Sequence, residues 1–91
     1  MTLFAEIQRH LEADPRVQQC AFNAPWFNGS IDGHPFAGLV LEDPAAAVDR
    51  ADLEHLERLR LFGFRAWVIR SWRDVQSCLL NEPATVYLDL S

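Results

Sequence analysis

Residues 36–41 and 64–69 form two short apolar runs flanking a helix signature, and that arrangement constrains the fold of this chain more than any other feature. Neither run shows the apolar-polar alternation of a half-solvated strand, so each reads as a strand covered on both faces. Between them, Asp49 stands where an N-cap belongs, Asp52 occupies N3, and Val48 is placed to staple against Leu53. Leu53, Leu56 and Leu59 supply a buried stripe, and Arg58 and Arg60 lie where the helix dipole favours cations, just before Gly63. A crossover of this length predicts parallel, right-handed packing of the two strands, with residues 36–41 at the centre of the sheet.

The remaining elements follow from periodicity and punctuation. Leu3, Phe4, Ile7 and Leu11 recur at helical spacing between a capping Thr2 and the Asp14-Pro15 stop, predicting a helix over residues 2–13. Val17, Cys20 and Phe22 mark a strand at about residues 16–22, its alternation blurred by Gln18-Gln19. Residues 23–35 are crowded with proline, glycine, asparagine and aspartate and read as a loop or hairpin tip. Ser71 and Asp74 resemble a capping box for a third helix with Val75, Cys78 and Leu79 on its apolar side. Pro83 ends that connection, and Thr85, Val86, Tyr87 and Leu88 predict a last strand. The expected fold is α+β (α/β-like), a single domain over residues 1–91. It has a mixed four-stranded sheet and three helices in the order α-β-β-α-β-α-β.

Composition narrows the function classes. Hydrophobic content of 49% and charged content of 23% are those of an ordinary globular chain. No apolar stretch approaches the roughly 20 residues that span a bilayer, and the N-terminus lacks a signal-peptide pattern, so a cytoplasmic protein without membrane attachment is expected. A net charge of −5 with scattered arginines disfavours direct nucleic-acid binding and favours a partner with a basic surface. Cys20 and Cys78 read as small buried hydrophobes.

Familiar chemistry is missing. All eight positive side chains are arginines, so no lysine is available as nucleophile, base or phosphate ligand. His10, His34 and His55 include no pair at the four-residue spacing of a helical metal site. His34 beside Asp32 would form half of a metal or acid-base site, but turn solvation explains both residues. No glycine pattern cradles phosphate, and no cofactor is expected. What stands out is Pro25-Trp26-Phe27-Asn28-Gly29, with two large aromatics in a polar segment. They either pack back onto the sheet or anchor a binding surface. The second reading assigns partner contacts to Trp26, Phe27, Asn28 and Trp72, whereas Trp67, inside an apolar run, reads as core.

The segments Gly38-Leu39-Val40-Leu41-Glu42, Leu56-Glu57-Arg58-Leu59-Arg60-Leu61-Phe62-Gly63 and Ala66-Trp67-Val68-Ile69-Arg70-Ser71, in an order of helix, strand, loop, strand, helix, strand, helix, resemble the VRR-NUC branch of the PD-(D/E)XK nuclease superfamily. That resemblance implies a divalent metal held by an aspartate and by the glutamate of a Glu-X-Lys motif. Asp32 would supply the first carboxylate, with Ile31 in place of the family's proline, and Glu42 the second. Pro44 occupies the lysine position, and Asp52 lies near that of a helical glutamine. The resemblance therefore implies a scaffold that has lost its chemistry, a pseudo-nuclease with Asp32 and Glu42 as vestigial metal ligands. Three functions are expected. The first is a non-catalytic module that binds another protein, as an immunity-type inhibitor or phage anti-defence antagonist does. The second is a divergent metal-dependent nuclease, and the third is a self-associating subunit in which an edge strand pairs with its own copy in a homodimer.

Overall fold

Thr2 begins the first helix as its sequence context demands, its Oγ1 accepting a hydrogen bond from the Ala5 amide at 3.1 Å. The computed structural model describes residues 1–80, so the strand expected at residues 85–88 lies outside the described residues. Helix α1 (Leu3–Ala13) ends at Asp14, and strand β1 (Val17–Asn23) follows. The blurred alternation in β1 is a bulge: its register against the next strand shifts between Gln18 and Ala21, and Gln19 adopts φ 56°.

Residues 23–35 differ from expectation. They are two tight connections around a strand, β2 (Trp26–Ile31), so the described element order is α-β-β-β-α-β-α. Ala24-Pro25, with a cis peptide bond, joins β1 to β2. Asp32-Gly33, at φ 53° and 80°, joins β2 to β3 (His34–Val40) in the left-handed conformation of a type I′ hairpin turn. The turn residues that made this segment look irregular are the ends of hairpins. Between them Phe27, Gly29 and Ile31 are buried while Trp26, Asn28 and Ser30 are more accessible, the period-two pattern of a strand.

The strand-helix-strand unit forms as predicted. Helix α2 (Arg50–Leu61) connects β3 to β4 (Arg65–Ile69), and the two strands pair in parallel from Phe36 opposite Arg65 to Val40 opposite Ile69. Asp49 is the N-cap of α2, although its side chain makes no cap hydrogen bond. Gly63 takes φ 94° after the helix. The sheet is mixed, in the order β1-β2-β3-β4 with the first two pairings antiparallel, which places β3 inside it. Beyond β4, α3 (Trp72–Asp74) is capped by Ser71, whose Oγ accepts from the Asp74 amide. It runs on as a π-helical turn (Val75–Leu79), closed by Leu80 N–H donating to Val75 O.

One face of the sheet carries the main core. Ile7 and Leu11 of α1, Phe27, Ile31, Phe36, Val40 and Ile69 of the strands, and Val75, Leu79 and Leu80 form one buried cluster. Phe4, Phe22, Phe27 and Phe36 meet in sequence, with ring centroids 6.2, 6.5 and 6.3 Å apart. Ala37, Leu39 and Ala66 alternate to the opposite face and are buried, as is Leu56 of α2, which packs on β4. The expected leucine stripe is thus narrower: Leu56 alone is fully buried, Leu59 is half-buried, and Leu53 is exposed. With helices on both faces, α2 needs only one row of contacts to cover the second face.

Trp67 is a further correction, being 45% exposed. It lies on β4, which has no neighbour on its outer side among the described residues. Ile69 O accepts from Leu41 N–H, so its carbonyl faces the sheet, and by alternation the Ala66 carbonyl faces the free edge. Arg60 closes that edge: its Nε donates to Ala66 O at 2.8 Å, and its guanidinium lies 4.5 Å from the centroid of the Trp67 ring.

Candidate functional site

Glu42, the better placed of the two carboxylates tied to metal binding, has a different task in this fold. Its Oε1 accepts from the Leu3 amide at 2.8 Å and its Oε2 from the Phe4 amide at 2.9 Å. Those amides open the first turn of α1 and have no partner within the helix, so Glu42 caps from the far end of β3 what Thr2 caps locally. Asp32 sits in the turn at the other end of β3. At roughly 3.3 Å per residue, the strand holds the two carboxylates on the order of 20 Å apart. The structure does not bring Asp32 and Glu42 to one metal, and no group of three or more His, Cys, Asp or Glu side chains fit for a metal occurs among the described residues. Pro44, at the position of the missing lysine, is pinned by Arg70, whose Nη1 donates to Pro44 O and Ala46 O at 2.8 and 2.9 Å.

The four residues expected to contact a partner do not share a surface. Phe27 is 1% exposed and belongs to the core, which corrects its assignment as a surface anchor. Trp26 alternates to the other face, where its ring meets His55 of α2 edge-on at 4.9 Å. Asn28 lies on that same face and is exposed. Trp72 is half-buried against the main core, its ring stacked on His10 of α1 at 4.4 Å. Neighbouring residues of a strand point to opposite faces, so a contiguous aromatic pair in sequence cannot form a contiguous patch here.

Neither cysteine is set up for reaction. Burial pushes the Cys20 thiol above its ordinary range, and Glu12 and Asp14 add to the rise, which suppresses the thiolate at neutral pH. Cys78 is half-buried, with its sulfur 3.7 Å from Ser77 Oγ. His34 opens β3 on the surface, and His10 and His55 are engaged with tryptophans rather than with nucleophiles.

Another surface stands out. Met1 aside, the exposed large hydrophobics among the described residues are Leu53, Leu61, Phe62 and Trp67, all on α2, its C-cap or β4. Leu61 and Phe62 are 85% and 78% exposed. Arg58, Arg60 and Arg65 surround them in sequence. In sequence five of the eight arginines fall between residues 58 and 73, where no aspartate or glutamate occurs, although Arg65 donates to Leu79 O and Arg70 to Pro44 O and Ala46 O. Sequence reasoning missed Leu61 and Phe62, yet a signal was present. Leu61 follows Leu59 by two positions, which turns it about 200° around a helix, away from the buried Leu56 and the half-buried Leu59. Comparison with family models, curated proteins and solved structures found no match.

Proposed function

We propose that this chain is a small non-catalytic module that acts by binding another protein. The observation carrying that reading is the exposure of Leu61 and Phe62 at the C-terminal end of α2, beside Arg58 and Arg60, with the 45% exposed Trp67 reached by Arg60 around the edge of β4. Large apolar side chains held in water, rimmed by arginine, have the composition of protein-binding hot spots. The patch is locally basic, so its complement is a surface with acidic groups around an apolar pocket, rather than the basic surface suggested by net charge. An inhibitor that covers a partner's working surface, as immunity-type and anti-defence proteins do, needs such a patch and no chemistry of its own. Glu42 serving as a helix cap, with Asp32 at the far end of β3, weighs against a metal-dependent nuclease.

The test is affinity capture from the native lysate with wild type and with Leu61→Ser/Phe62→Ser. Both side chains are exposed, so the variant retains the fold, as far-UV circular dichroism would verify. Wild type is expected to retain a distinct protein that the variant loses. Equal recovery by the two would sink the reading.

A further inference from the structure

Helix α2 carries its own complement. Leu53, Glu57 and Leu61 follow one another at intervals of four and line one outward stripe, with Leu53 45% and Leu61 85% exposed. Charge is divided along the same helix. From its cap to Glu57 the helix carries Asp49, Asp52, Glu54 and Glu57, where Arg50 is held by Glu54 at 3.8 Å, and its last turn carries Arg58 and Arg60 with no acid. The basic, apolar patch needs an acidic, apolar partner, and the first turns of α2 around Leu53 are such a surface.

We infer that α2 is a self-docking surface on which the α2 of a second copy of this chain seats antiparallel, related by a two-fold axis at Glu57. Around that axis Leu61 comes level with Leu53 of the second copy, and Leu53 with its Leu61. On one side of the stripe Glu54 of each copy comes within a turn of the second copy's Arg58, while Arg60 stays on Ala66 O and Trp67. One operation thus covers both leucines of each chain and brings each Glu54 to an arginine of the other chain. It also opposes the helix dipoles, and such isologous pairs are the commonest homo-oligomeric arrangement. Glu57 meets its own copy on the axis, the single unfavourable contact, which keeps the pairing weak and provides a directional test. This inference rests on reading the α2-β4 surface as an interface and names one occupant of it.

Sedimentation velocity of the full chain, from micromolar to near-millimolar concentration, is expected to show a monomer-dimer equilibrium. Leu61→Glu should weaken it about a hundredfold, since each two-fold dimer loses two leucine contacts, and Glu57→Leu should tighten it about tenfold. Geometry is read separately in a Cys20→Ser/Cys78→Ser background. Under mild oxidation, Leu53→Cys chains mixed with Leu61→Cys chains should cross-link to each other in preference to their own kind. A monomer at every concentration, a dimer indifferent to Leu61→Glu, or preferential like-with-like cross-linking would each overturn the inference. A strict monomer whose captured protein is still lost in Leu61→Ser/Phe62→Ser overturns the self-docking alone and leaves the protein-binding reading standing. A dimer with no distinct captured protein does the reverse.

Discussion

Beneath the ring of Phe27 there is room for a hydrogen atom and nothing larger. The residue opposite it on β3 is Gly38, where a Cβ would run into that ring and come within 3.0 Å of Ile69 Cγ1. Gly38→Ala is therefore expected to cost about 1–3 kcal/mol, the usual penalty of overpacking, read as a lower urea midpoint with an unchanged slope. An unaltered midpoint would mean that the Phe27 ring yields without penalty. At the end of α1, Arg16 donates from Nε and Nη2 to Asp14 at 3.0 and 2.7 Å and holds its carboxyl below the usual aspartate range, against an opposing effect of burial. A carboxyl depressed on folding stabilises above its unfolded pKa and loses that contribution as pH falls through the folded one. The pair is half-exposed on the arginine side, so the contribution is at most about 1 kcal/mol. Arg16→Ala should raise the Asp14 pKa toward 3.8 in an NMR titration and lower stability at neutral pH, with the difference vanishing in strong acid.

At the scale of elements, α1 is held to the sheet by more than its buried face. Glu42 reaches it across 39 positions of sequence, and the two amides it accepts from are those that helical geometry leaves without a partner. Glu42→Ala should cost about 0.5–2 kcal/mol by leaving them to water, and hydrogen exchange at Leu3 and Phe4 should accelerate. Unchanged exchange there would show that Thr2 alone secures the helix start. Strand β2 shows a different dependence. Its own six residues alternate as a strand should, but the turn-rich flanks disguise it, because a two-residue hairpin and an open loop draw on the same amino acids.

Across the whole molecule, helices on both faces divide the sheet into a main core, built with α1 and the π-helical turn, and a lesser layer under α2. The lesser layer gives α2 a large free circumference, and the exposed leucines and divided charges lie on it. No helix among the described residues is long and apolar enough to cross a membrane. The local code was legible: Thr2 and Ser71 as caps, the Asp14-Pro15 stop, Gly63 past its helix, and the parallel strand-helix-strand unit all stand where periodicity and capping chemistry place them. These features depend on a few neighbouring residues, and a single chain carries that information directly. Tertiary structure alone decided that Glu42 caps a helix, that Phe27 enters the core while Trp26 leaves it, and that Trp67 lies on a strand with no outer neighbour among the described residues. Those outcomes depend on which elements become neighbours, and the short-range patterns of a strand or helix are the same whether its flank meets another element or water.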